Sequence, residues 1–347
     1  MRKIFVFLGM MAVLSIVGCG GDSSSSAAPV EDSVASSAGA VNPNPESSAG
    51  TAPQETGISS AMNPVEGNSS AAEIPASSAS QIPTGGYTTA AFTIEATPDE
   101  DGFYYIADVY KAVPSTSKIA FVIRHSERQS CESQESKLTA EGIAHAQTLG
   151  ADIGGAEPFY YTSTDFIRTR ETASNIAAGR GENAEVVTWD AINGSYFLKV
   201  SQSSFDSLVG SRGGSWKNLS QFIYGVEVTN KYVAQRIADY VYDIMPRGDQ
   251  FVKEVVLDNM DNWRRVSFLV THDVLIEPLI VYATNRTIDL KFYESKRWAN
   301  YMSGIAVVKD EAGAVSLFPV RGYEVGWIGA TKSTSTCPED EAVAAAQ

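Results

Sequence analysis

Histidine and cysteine are scarce in this chain of 347 residues, with three of each. His125, His145 and His272 are far apart, and no Cys-x-x-Cys or His-Glu-x-x-His spacing occurs. The usual sequence patterns of a zinc site are therefore missing, and no metal or cofactor is expected. So few cysteines cannot make a disulfide framework. Cys131 and Cys337 are a candidate pair in an exported chain, and two free thiols are the equal alternative. Basic residues are absent between Lys3 and Lys111. From Lys111 onward lie 24 of the 26 basic and 29 of the 41 acidic residues, so most of the net charge of −15 arises before that point. With no basic stripe and no basic-aromatic interleaving, nucleic acid is not an expected partner. The N-terminal apolar stretch, residues 4–17 after Arg2 and Lys3, is shorter than the ~20 residues a spanning helix needs and reads as a signal peptide over 1–18.

That stretch ends in Ile16-Val17-Gly18-Cys19, which resembles the bacterial lipobox. The resemblance implies cleavage before Cys19 and lipid attachment to its sulfur, which would tether a soluble domain to a membrane of the cell envelope. An ordinary signal peptide with an incidental cysteine is the alternative. Residues 19–86 are rich in Ser, Ala and Pro, with a Ser-Ser-Ala unit recurring at 36, 47, 59, 69 and 77. So little apolar surface cannot offset the entropy of ordering the chain, and a disordered linker is expected.

The folded part is expected over 87–331, with a frayed tail over 332–347. Strand patterns fall at 91–96, 119–123, 159–162, 184–189, 266–271, 305–308 and 315–319, and helical spacing at 139–153, 169–178, 230–244 and 274–284. Thr139 is placed to cap the first of these helices and Gly179 to close the second. Residues 104–113 fit either a helix or an extended segment. Residues 190–228 read as an irregular insertion at the pocket rim, with Trp189, Tyr196, Phe197 and Trp216 as contacts or core. The alternation predicts one α/β domain, a three-layer sandwich around a mostly parallel sheet. The run 119–123 is apolar throughout, as in a strand covered on both faces. It ends in Arg124-His125, and a second such run ends in His272-Asp273. In open parallel sheets, ligands bind beyond these strand ends.

Four motifs share this order. Arg124-His125-Ser126-Glu127 resembles the Arg-His-Gly-Glu signature of the histidine phosphatase superfamily, which includes phosphoglycerate mutases and acid phosphatases. Leu138-Thr139-x-x-Gly142, Ser163-x4-Arg168-Thr169-x-Glu171-Thr172-Ala173 and Thr271-His272-Asp273 resemble the segments that follow it. The resemblance implies a phosphoglycerate mutase-like fold and a small phosphorylated substrate. It also implies phosphate binding by Arg124 and Arg168, covalent catalysis by His125 and a supporting role for His272. Two departures stand out: Ser126 for Gly, placed to add a hydrogen bond or narrow access, and Glu171 for Gln, of no assigned role.

A phosphate monoester is anionic and repels nucleophiles, so guanidinium forks must first neutralise its oxygens. A neutral imidazole can then carry the phosphoryl group, splitting one hard step into two. The leaving alkoxide needs an acid, and both Asp273 and Asp190 are candidates, the His272-Asp273 pair being closer to the acid phosphatase pattern. That pattern implies an acidic optimum. Arg128 and Arg212 are further cations in reach of a substrate, whereas His145 fits no motif and reads as structural. The resulting expectation is a lipid-anchored phosphomonoesterase. A phosphoglycerate mutase-like phosphotransferase and a non-catalytic phosphate- or glycan-binding lipoprotein are the alternatives. Oligomeric state is open.

Overall fold

A computed structural model describes residues 95–129 and 133–328. The signal segment, Cys19, the linker, the start of the 91–96 strand, Cys131, Cys337 and the tail lie outside these residues. Glu95 and Ala96 are not in a strand.

In chain order the elements begin with β1 (Tyr104–Tyr105), α1 (Ile106–Ala112) and β2 (Lys118–Arg124). Then come α2 (Ala140–Ile153), β3 (Tyr160–Ser163), α3 (Ile167–Gly179) and β4 (Val186–Thr188). The insertion carries α4 (Gln202–Val209), α5 (Ser215–Ile223), α6 (Lys231–Ala234) and α7 (Ile237–Tyr240). It ends in α8 (Ile244–Gln250), which runs on through a wide turn to α9 (Asp258–Met260). The last elements are β5 (Val266–Thr271), α10 (Asp273–Ala283), β6 (Gly304–Lys309) and β7 (Val315–Arg321).

The seven strands among the described residues form one sheet in the order β1-β7-β6-β2-β5-β3-β4. Four of its six pairings are parallel, and those of β6 with β2 and with β7 are antiparallel. Alternation along β2 explains its apolar sequence. Ile119, Phe121 and Ile123 enter the core layer that contains Val109, Leu149 and Ile176 from α1, α2 and α3. Ala120 and Val122 enter the opposite layer with Leu275 and Leu279 of α10 and the insertion helices. A strand with helices on both faces has no polar side to show. The expected three-layer architecture is therefore observed.

Several local expectations need correction. Residues 190–228 are not irregular: after a short turn at Asp190–Ile192 they form α4 and α5, whose amphipathic spacing is obscured by Ser residues within them and by the Gly-rich turn between them. Residues 230–244 are not one helix but the two short turns α6 and α7, after which Val241 bridges Leu198. Pairing with another strand-like residue outweighs the helical spacing. The stretch 245–260, assigned no structure from sequence, is helical. Gly179 ends inside α3, packed against the Gln147 backbone, and Arg180 caps the helix instead. Tyr104 to Ala112 is both alternatives in turn, strand and then helix. All four insertion aromatics pack in or against the core: Phe197 is fully buried, and Trp189, Tyr196 and Trp216 lie on its edge.

Candidate active site

The site forms where β2, β5 and β3 end side by side. Arg124 pairs with Thr271 in the parallel ladder and Ser163 with Val270. Residues that follow these strands are thus forced to one edge. His125 and His272 meet there with ring centroids 5.6 Å apart, and both are buried.

Hydrogen-bond partners settle which nitrogen of each imidazole carries the proton. His125 Nδ1 is 2.8 Å from the Ser126 carbonyl oxygen. A carbonyl only accepts, so Nδ1 holds the hydrogen and Nε2 keeps a free lone pair. For His272 the assignment is the reverse. Arg168 Nη2 donates to Nδ1 at 3.4 Å, a long contact, so the proton is on Nε2, which donates to Thr164 Oγ1 at 3.0 Å. Thr164 in turn bonds Thr169 Oγ1 at 2.9 Å, and the Thr169 hydroxyl donates to the Phe166 carbonyl at 2.8 Å. Burial lowers the pKa of His125 well below the ordinary value, and Arg124, Arg168 and His272 push in the same direction. Burial and Arg168 lower His272 to about 3, against the opposing charge of Asp273. Both rings are therefore neutral down to acid pH, as a nucleophile requires.

The two arginines flank the histidines. Arg124 Nη1 donates to the Ala299 carbonyl at 2.7 Å, and Nη2 is 3.4 Å from Asp273 Oδ2. Each of those nitrogens has a second N–H. The Tyr301 ring lies against this guanidinium, 4.7 Å from its carbon. Arg168 Nη1 donates to the Ser133 carbonyl at 2.9 Å, and its guanidinium packs on Phe166, which also meets the His272 ring edge-on. Arg128, three residues beyond His125, donates through Nη1 to the Gln129 carbonyl at 2.8 Å, and its charge is a minor influence on His272 and Asp273. Arg212 does not belong here: it donates to the Ser207 and Leu208 carbonyls of α4 and stacks on Tyr232.

The second motif, and Glu171 and Thr172 of the third, are scaffolding for the first. Thr139 Oγ1 accepts from Gly142 N at 2.9 Å and caps α2, an arrangement worth about 1 kcal/mol. A Cβ at Gly142 would lie 2.1 Å from the Glu127 carbonyl oxygen, so only glycine lets α2 press on the loop that carries His125. On α3, Thr172 Oγ1 accepts from Ser126 N at 2.9 Å. Glu171 Oε2 accepts from Leu138 N at 2.7 Å, which explains the acid at that position: it ties two motifs together. The Ser126 hydroxyl donates to the Gly142 carbonyl at 2.8 Å, so its extra group strengthens the loop and does not face a phosphate.

The two candidate acids differ in setting. Asp273 follows His272 at the start of α10. Its Oδ2 accepts from Trp298 Nε1 at 3.0 Å and faces Arg124, and Oδ1 takes Val274 N at 3.1 Å. Burial alone would raise its pKa, but Arg124, the Trp298 hydrogen bond and His272 together lower it, so it is ionised here. Asp190 is exposed, and its carboxylate makes no hydrogen bond among the described residues. Its loop nevertheless reaches the site. The Thr271 hydroxyl donates to the Ile192 carbonyl at 2.5 Å, and a Cβ at Gly194 would be 3.0 Å from that of His272. His145 is elsewhere, bonded to Glu324 at 2.7 Å and stacked on Tyr323. Among the described residues no group of His, Cys, Asp or Glu could hold a metal ion.

Sequence reasoning missed Thr164, Phe166, Trp298, Ala299, Tyr301 and Glu277. Glu277 carried a visible signal, a single acid inside the apolar run from Val274 to Ala283. The others lie in loops whose contacts depend on folding.

A solved phosphoglycerate mutase from Bacillus anthracis str. Sterne is 16% identical, with 59% of this chain and 93% of that one covered, at a TM-score of 0.40. A mycobacterial glucosyl-3-phosphoglycerate phosphatase is 14% identical, with 60% and 100% covered, at 0.35. A mutant phosphoserine phosphatase from Entamoeba histolytica is 16% identical, with 59% and 95% covered, at 0.35. No curated protein matches the chain. The family model of the histidine phosphatase superfamily, branch 1, matches residues 120–316, which spans all four motifs. The chain belongs to the histidine phosphatase superfamily.

Proposed function

We propose that this protein is a phosphomonoesterase working through a phosphohistidine on His125. The observation that carries the reading is the tautomer of His125: its Nδ1 proton is held by the Ser126 carbonyl, so the Nε2 lone pair is free beside two guanidiniums. The guanidiniums of Arg124 and Arg168 bind the phosphoryl oxygens. Nε2 then attacks phosphorus, the ester P–O bond breaks, and the alcohol leaves with a proton from the enzyme. Water then attacks phosphorus and gives a proton to the acid's carboxylate, and the P–Nε2 bond breaks, which releases phosphate and restores the His125 lone pair. A bound dianion reverses the electrostatics around His272. With the arginine charges neutralised, His272 gains a proton at Nδ1 and donates to the phosphoryl oxygens where negative charge grows.

The same reversal serves the acid. Asp273 is held ionised chiefly by Arg124 against the effect of burial, and a phosphate on Arg124 weakens that hold, so Asp273 takes up the proton it later gives. Hydrolysis of an aryl phosphate by the full chain tests the reading, with Asp273→Asn and Asp190→Asn compared. Asp273→Asn is expected to lower kcat by roughly 10²-fold on a poor leaving group and far less on p-nitrophenolate, which leaves without a proton. The same leaving-group dependence in Asp190→Asn instead would move the role to Asp190. Failure of the parent chain to hydrolyse any phosphate monoester between pH 4 and 8 would remove the phosphatase reading.

Anchoring of this enzyme at the cell envelope through lipid on Cys19 is part of the proposal, supported by the apolar segment and by Ile16-Val17-Gly18-Cys19. Expressed in a bacterium, the parent should sediment with membranes and Cys19→Ala should not. Equal partitioning of the two would end that idea.

A further inference from the structure

Glu277 has no exposed surface and no part in the chemistry above. A carboxyl group in an apolar helix is costly unless it is partnered, so its contacts show what it does there. It follows Asp273 by one turn of α10, so the two project from one face. Both reach the same segment. Asp273 takes the Trp298 indole N–H at 3.0 Å, and Glu277 Oε2 takes the Ala299 backbone N–H at 2.9 Å. The carbonyl of that same Ala299 accepts from Arg124 Nη1 at 2.7 Å. Two residues on, the Tyr301 ring packs on the Arg124 guanidinium and lies 5.8 Å from the His125 ring. Helix α10 thus holds Arg124 twice, directly through Asp273 and indirectly through Ala299.

We propose that Glu277 is a positioning residue that fixes Ala299, and through it the Arg124 guanidinium, in the orientation that receives the substrate's phosphate. It acts as a neutral acid. Burial raises its pKa well above the carboxylate range, and the Ala299 hydrogen bond and Arg124 oppose this without winning, while the charge of Asp273 adds to it. An ionised group here would compete with phosphate for Arg124; an uncharged one orients the arginine and leaves its charge to the substrate.

The inference rests on the phosphatase reading, and the experiment separates the two. Inorganic phosphate is the probe, read as a competitive inhibitor of aryl phosphate hydrolysis and by its shift of the melting temperature, on the full chain. Glu277→Gln keeps an uncharged group with an acceptor at the same reach, whereas Glu277→Asp withdraws it from Ala299. Glu277→Gln should stay within about twofold of the parent, and Glu277→Asp should raise KM and the phosphate inhibition constant roughly tenfold with kcat changed less. Parent-like phosphate affinity in Glu277→Asp would overturn the proposal, as would a loss in Glu277→Gln. Should Glu277→Asp fail to fold, the Gln variant decides alone: parent-like affinity supports the proposal, and weakened affinity sinks it. A parent chain that binds no phosphate refutes both readings, whereas phosphate binding and turnover with indifferent variants refutes this one alone.

Discussion

Replacing His125 with alanine should lower aryl phosphate hydrolysis by roughly 10³-fold or more while the protein stays folded. The size follows from what is removed. Without Nε2 there is no covalent step, and water must attack a dianion held between Arg124 and Arg168, with only binding and electrostatic help remaining. The structural cost is modest, because the ring gives up one hydrogen bond, to the Ser126 carbonyl. The Ser126 loop is still held by Thr172 and Gly142. Two measurements check this: circular dichroism melting for the fold, and trapping of an acid-labile, alkali-stable phosphoryl group on the parent but not on the variant. Activity of His125→Ala above a tenth of the parent's would show that the nucleophile is elsewhere.

Stability should fall steeply as the pH drops below about 6.5, and bound phosphate should offset the fall. The sign follows from the two buried imidazoles. In the unfolded chain they protonate near 6.5, whereas in the fold His272 does so only near 3 and His125 well below the ordinary value. Between those limits the unfolded state binds more protons, so stability rises with pH. Each histidine contributes on the order of 1.4 kcal/mol per pH unit. Asp273, whose folded pKa is lowered, acts in the same direction at still lower pH. Glu277 acts the other way. Its folded pKa is raised, so its contribution is complete below the unfolded value and is lost as pH rises towards the folded one. From its unfolded value upward this opposing effect reduces the rise that the two histidines give. Melting curves from pH 4 to 8 check the shape, and His272→Asn should flatten the acid limb. A flat profile in the parent would mean that the histidines are not buried as neutral rings.

Much of this site could be read before folding because its chemistry is carried by residue types with few other uses at those positions. Arg124-His125 and His272-Asp273 each end an apolar run of strand length, and a parallel ladder between β2 and β5 brings such ends together. In the Leu-Thr-x-x-Gly and Arg-Thr-x-Glu-Thr-Ala segments the Thr139 cap and the part of Arg168 were legible, but the purposes of Gly142, Glu171 and Thr172 were not. Glu171 on the Leu138 amide and Thr172 on the Ser126 amide are contacts across more than thirty residues, and no local spacing encodes them. The insertion was misread for a different reason. A short Ser-rich helix such as α4 has weak intrinsic preference and forms because Phe205, Leu208 and Val209 find a core to enter.

From residue order alone came the strands that end in charge, the two histidines and two arginines, the apolar runs that demand cover on both faces, and the expectation of an α/β sandwich. These depend on period and composition, which are local properties. Only the tertiary structure decided which nitrogen of each histidine is free, that Asp273 is held ionised by Arg124 and Trp298, that Ser126 turns away from the pocket, and that Glu277 stands behind Arg124. Protonation and orientation are set by burial and by partners distant in sequence, and those exist only once the chain has closed around them.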